Sequence, residues 1–78
     1  MALQKLLEFL TDLDARKIHY TLAHHREESI MVLVAVPGQR WEIEFFADSH
    51  VEVEVFTSAS EGLEGEEALE RLFRNFSN

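Results

Sequence analysis

Apolar residues near the start of the chain recur every third or fourth position. Leu3, Leu6, Leu7, Leu10 and Leu13 form one stripe, Phe9 widens it, and Gln4, Lys5, Glu8, Thr11, Asp12 and Arg16 take the other faces. That period predicts an amphipathic helix over 2–16, with no Gly or Pro to interrupt it. From Ile18 the period falls to two. Ile18, Tyr20 and Leu22 alternate with His19, Thr21 and Ala23, as in a half-buried strand. HHREES, residues 24–29, reads as a polar turn. IMVLVAV, residues 30–36, is apolar on both faces and rich in β-branched residues, which predicts a central strand covered on both sides or carrying an apolar patch outward. Pro37-Gly38 closes it with turn chemistry.

RWEIEFF, residues 40–46, and HVEVEVF, residues 50–56, alternate again and predict two further strands around a turn at Ala47-Asp48-Ser49. Residues 57–65 read as a polar loop with two glycines. Residues 66–76 predict a second helix, with Leu69, Leu72, Phe73 and Phe76 on one side and charge on the other. Glu66 and Glu67 near its start and Arg71 and Arg74 near its end suit the helix dipole. Short links between consecutive strands imply an antiparallel meander, and two one-striped helices must cover an apolar sheet face. The expected architecture is a single α+β domain over 1–78: a two-layer sandwich, α-β-β-β-β-α, with a four-stranded antiparallel meander and both helices on one face.

The register of the hairpin at 40–56 is constrained by parity. Opposed residues in an antiparallel pair share a face, so their numbers must sum to an even total if the apolar sets are to coincide. A two-residue loop at Asp48-Ser49 would pair Phe45 with Glu52 and mix the faces. A three-residue loop pairs Phe45 with Val51, Ile43 with Val53 and Trp41 with Val55, and it sets Glu44 against Glu52 and Glu42 against Glu54. Such a loop is a type I turn plus bulge and ordinarily carries Gly where Ser49 stands. A loop of Asp48-Ser49-His50 would instead oppose Glu44 and Glu54; in either register four carboxylates share one face with Phe46 and Phe56. On the neighbouring strand Met31, Leu33 and Ala35 are the expected outward set, Met and Ala being weaker sheet-core choices than the valines and Ile30.

Charge sharpens this picture. The 78-residue chain has 15 acidic and 7 basic side chains, a net charge of -8. Residues 1–40 carry five of each sign, and residues 41–78 carry ten acidic against two basic, so the imbalance belongs to the second half. Such asymmetry gives a directional field that speeds encounter with a basic partner, and it argues against nucleic acid, whose phosphates demand Lys and Arg. No apolar run approaches the roughly 18 residues of a membrane span, and the N-terminus lacks the basic-then-apolar layout of a signal peptide, so no membrane role and a cytoplasmic location are expected. The absence of Cys removes disulfides, thiolate metal sites and a Cys nucleophile.

Candidate chemistry is sparse. His24-His25 followed by Glu27 and Glu28 suggests a metal, but adjacent strand residues point to opposite faces, and polar turn residues are the better account. Asp48, Ser49 and His50 are triad residue types crowded into one turn, which cannot align nucleophile, base and orienter. Flat pleated glutamates do not supply the shaped oxygen cage of Ca²⁺. No phosphate-binding Gly loop, HExxH or GxSxG occurs. No catalytic residue, metal or cofactor is expected. The face itself has three readings: a solvated surface that keeps sheets from stacking, a docking surface for a basic protein, and an acid/base or metal site.

The residues Arg40 to Phe56, of the form RWEIEFF-AD-x-H-VEVEVF, and Glu66 to Phe73, EEALERLF, resemble small uncharacterised bacterial proteins with the same hairpin and terminal helix. In size, charge and architecture the chain is also similar to small acidic immunity proteins, which neutralise a basic toxin by covering it. The acidic, aromatic outer face leads to the expectation of a non-catalytic protein-binding module, such as an immunity or inhibitor protein, that takes a basic protein through Glu42, Glu44, Phe46, Glu52, Glu54, Phe56, Met31 and Leu33. The alternative is a structural homodimer whose acidic face serves only solubility; monomer and homodimer both stay open.

Overall fold

The computed structural model describes residues 2–57 and 61–76. Helix α1 (Ala2–Ala15) is followed by strands β1 (Tyr20–Arg26), β2 (Ser29–Val36), β3 (Gln39–Phe46), β4 (Val51–Thr57) and β5 (Glu61–Glu64), and then by helix α2 (Ala68–Phe76). The strands form one antiparallel sheet in the order β1-β2-β3-β4-β5. Both helices pack on one face of it. The fold is therefore the α+β sandwich, but the meander has five strands where the pattern predicts four. The extra strand lies in the segment read as a polar loop: EGLE, with poor strand propensity, is recruited because β4 offers it an open edge from Val53 to Phe56.

Other boundaries move as well, β1 starting at Tyr20 rather than Ile18. β1 runs on through His24 and His25 to Arg26, so the polar break shrinks to a Glu27-Glu28 turn. The register shifts between Ala23 and Arg26, a bulge that places two residues of β1 opposite one of β2. α2 begins at Ala68 rather than at residue 66.

The ends of α1 and of the β3–β4 hairpin are set by local chemistry. Lys17 takes φ 58°, its N–H reaches the Asp14 carbonyl, and the Ile18 N–H reaches the Leu13 carbonyl. This is the Schellman termination, with Leu13 and Ile18 both buried in the core and a lysine where glycine is usual. Ser49 has φ 78° and donates its N–H to the Phe46 carbonyl, and the Phe46 N–H donates to the His50 carbonyl, so the three-residue turn with its bulge forms around a serine. Gly38, also at φ 78°, occupies the corner after Pro37 that a type II turn reserves for positive φ.

The core lies between the inner sheet face and the helices. Val32, Val34, Trp41, Ile43, Phe45, Val53 and Val55 meet Leu6, Phe9 and Leu13 of α1 and Ala68 and Leu72 of α2. The Phe9 ring packs against Phe45 at 5.4 Å and Phe73 at 5.6 Å. This changes the expected stripe of α1: Leu3 and Leu7 are 61% and 52% exposed, and the buried face centres on Phe9 and Leu13. The reason is tethering toward α2. Lys5 Nζ reaches both Glu66 (3.2 Å) and the Ser49 carbonyl (3.1 Å), and the Arg16 guanidinium lies 4.4 Å from the Phe73 ring.

Candidate functional site

The registers arrange the outer face in rows that cross the sheet. One row reads Thr21, Leu33, Glu42, Glu54 and Leu63 from β1 to β5. The next reads Ala23, Met31, Glu44 and Glu52. On one side of these rows, Ala35 pairs with Arg40 and Arg40 with Phe56; on the other, Ser29 pairs with Phe46. All eight residues singled out from the sequence therefore share one face, and both glutamate pairs stand directly opposite each other. The shared face follows from the parity of the hairpin and from the outward set of β2.

The four carboxylates are not equivalent, and here the expectation of four solvated acids is corrected. Glu44 is only 6% exposed. Its Oε2 accepts a hydrogen bond from the Ser29 hydroxyl at 2.5 Å and lies 3.5 Å from Arg26 Nε. Burial of a carboxylate demands such partners, and once they are in place Glu44 has little left to offer a ligand. Glu42 is half-buried, with Arg40 Nε a loose 3.7 Å away. Arg40 also spreads over the Phe56 ring at 4.4 Å, covering part of it. The Glu54 carboxylate has no ion-pair or hydrogen-bond partner among the described residues.

Phe46 is likewise withdrawn. It points outward yet is only 6% exposed, because His50 stacks on it at 4.1 Å and 11° and the Arg26 guanidinium sits 5.6 Å from the ring. His50 bridges two acids: Nδ1 lies 2.5 Å from Asp48 and Nε2 3.2 Å from Glu52. The Asp48 hydrogen bond raises the His50 pKa above its ordinary 6.5 despite some desolvation, with Glu52 adding to the rise. Asp48 is lowered from 3.8, first by the His50 backbone N–H and then by the ring.

What remains open is a strip of Glu42, Glu54 and Glu52 bordered by Met31, Leu33 and Phe56, all part-buried, and by Leu63, which is 82% exposed. Leu63 is the residue that the polar reading of 57–65 missed; a single leucine between Gly62 and Glu64 was its only signal. On the inner side of β5, Arg71 grips Glu64 with two hydrogen bonds, 2.9 and 2.6 Å, and lies 5.4 Å from the Trp41 ring, which holds the short strand beside Glu54. That hydrogen bonding lowers the Glu64 pKa and raises the Arg71 pKa.

Two carboxylates opposed across adjacent strands repel, and their Cβ atoms sit about 4.5–5.5 Å apart. A guanidinium or ammonium inserted between them would relieve that repulsion and hydrogen-bond both. Among the described residues no group of three or more His, Cys, Asp or Glu is arranged to hold a metal ion, and no helix is long and apolar enough to cross a membrane. Comparison with protein-family models, with curated proteins and with solved structures finds no match to this chain.

Proposed function

We propose that this chain is a non-catalytic binding module whose outer sheet face takes a basic protein surface, with an immunity or inhibitor role as its most concrete form. The observation that carries this reading is Glu54: an acid opposed by Glu42, without a cationic partner among the described residues, and flanked by the highly exposed Leu63. Acids left in mutual repulsion destabilise a free sheet and become favourable when a partner cation enters. Leu63, Leu33 and Met31 supply apolar contact beside the charge, the mixture that slows release after electrostatic steering has brought partners together.

The test is capture by the immobilised chain from an extract of the organism that encodes it. The expected result is a basic protein that elutes as salt rises and is not captured by the Glu42→Lys, Glu54→Lys double variant, whose circular dichroism is unchanged. Capture that survives both the salt and the double variant would remove the proposal.

A further inference from the structure

The helical layer stops short of one edge of the sheet. Lys5 and Phe9 of α1, and Arg16 just beyond its end, face α2 and the turn before it through Glu66 and Phe73. Leu3, Leu7, Leu10 and Asp14, spaced by four, three and four, form the opposite flank. Asp14 lines one surface cleft together with Tyr20, and Leu3 lines another together with His24, which places that flank over the two ends of β1. The cover ends there. Val32 and Val34 of β2 are fully buried, whereas Leu22, which pairs with Val32 and shares its face, is 53% exposed. Leu22 below and Leu3 and Leu7 above thus line an uncovered apolar corner. The corner adjoins the outer edge of β1, where one side of the strand has no ladder partner among the described residues.

We infer that a second copy of this chain covers this corner, its β1 pairing antiparallel with the first across a two-fold axis perpendicular to the sheet. Three features favour a copy over an unrelated occupant. An edge strand carries its own complement when related by a two-fold, because each unpaired N–H meets an unpaired C=O of the same segment. The axis keeps the faces aligned, so the exposed leucines of both corners are buried together beneath the two α1 helices. The charge distribution also permits it: residues 1–40, which supply α1, β1 and β2, are neutral as a group, while the net charge of -8 lies in the other half and points away from the axis. A dimer formed through the acidic face would oppose those charges directly. The bulge between Ala23 and Arg26 limits the run that can pair to about Tyr20 to Ala23, so the apolar corner must contribute much of the affinity. Both acidic faces would lie on the same side of a continuous ten-stranded sheet, leaving each free for a partner.

Light scattering after size exclusion, from micromolar to millimolar chain, reads the state directly. The expected mass is twice the 9.0 kDa chain, falling to one chain on dilution. Leu22→Lys, and Leu3→Glu with Leu7→Glu, each weaken the dimer by about tenfold or more, whereas Glu54→Lys on the outer face does not weaken it. Because the chain has no Cys, single-cysteine variants supply a second readout that tolerates weak folding defects. Leu22→Cys cross-links between copies faster than Leu63→Cys, the more exposed control. A monomer at every concentration overturns the inference. So does a dimer indifferent to the Leu22, Leu3 and Leu7 changes, or equal cross-linking at the two cysteine positions.

Discussion

The Ser29 hydroxyl donates to the Glu44 carboxylate across 2.5 Å, from the first residue of β2 to the middle of β3. Ser29 is 5% exposed and Glu44 6%, so this bond is sealed from water. Ser29→Ala leaves a buried oxygen without its hydroxyl donor and is expected to cost about 1–3 kcal/mol. Glu44→Leu removes the buried charge and leaves only the neutral Ser29 hydroxyl unpaired, and is expected to cost less. Urea unfolding of the two variants tests the order. If Glu44→Leu is the more damaging, the buried bond is not what holds this corner.

His50 predicts a pH window. Its pKa is raised in the fold, so its contribution is fully present below the ordinary 6.5 and is lost as pH rises through the folded value. Asp48 is lowered, so its contribution is present above the ordinary 3.8 and is lost as pH falls through its folded value. The pair therefore contributes most between about 4 and 6.5. The difference in Tm between wild type and His50→Ala should peak in that window and shrink on the alkaline side. A difference independent of pH would show that the Phe46 stack alone accounts for the effect.

Lys17 and Ser49 hold left-handed backbone that a Cβ disfavours, at φ 58° and 78°. Neither turn needs its side chain for a hydrogen bond that glycine would lose: the Lys17 and Ser49 N–H groups make the contacts. Lys17→Gly and Ser49→Gly are each expected to raise stability by up to about 1 kcal/mol in chemical denaturation, part of the gain being offset by the greater freedom of glycine in the unfolded chain. A loss of stability at both sites would contradict the turn geometry.

Glu54→Lys should separate stability from binding. It replaces a like-charge pair with an opposite-charge pair across β3 and β4, worth up to about 1 kcal/mol to the fold. The same change removes an acid from the proposed docking strip and should weaken the basic partner. A variant that melts higher and binds less would be the expected result. One that melts lower would indicate that Glu54 has a structural partner.

Leu7 and Leu13 give a direct test of how α1 is rotated. Leu13 is fully buried and Leu7 is 52% exposed, although both belong to one leucine stripe. Leu13→Ala is expected to cost about 2–5 kcal/mol. Leu7→Ala should cost well under half as much, measured on monomer so that self-association does not add to it. Equal losses would mean that the helix lies with its leucine stripe, not Phe9, against the sheet.

Much of this protein is determined by period and parity. Residues 2–16 and 66–76 repeat at helical spacing, and 18–56 alternate; those signals arise from backbone geometry within a few residues. The shared faces of β3 and β4 follow from the same source, because only even sums bring Ile43 and Val53 to one side; parity admits Glu44 as well as Glu42 opposite Glu54, and the fold takes Glu42. Tertiary structure decided the rest. β5 exists because β4 had an edge to fill, which no property of EGLE announces. α1 turned toward Phe73, Lys5 and Arg16 found their partners on α2 and its approach, and two leucines of the stripe were left outside. Glu44 was withdrawn from the acidic face by Ser29 and Arg26, residues 15 and 18 positions away. A periodic pattern says which side a residue faces. Which neighbour meets it there depends on distant segments packing together, and that contact is absent until the sheet has assembled.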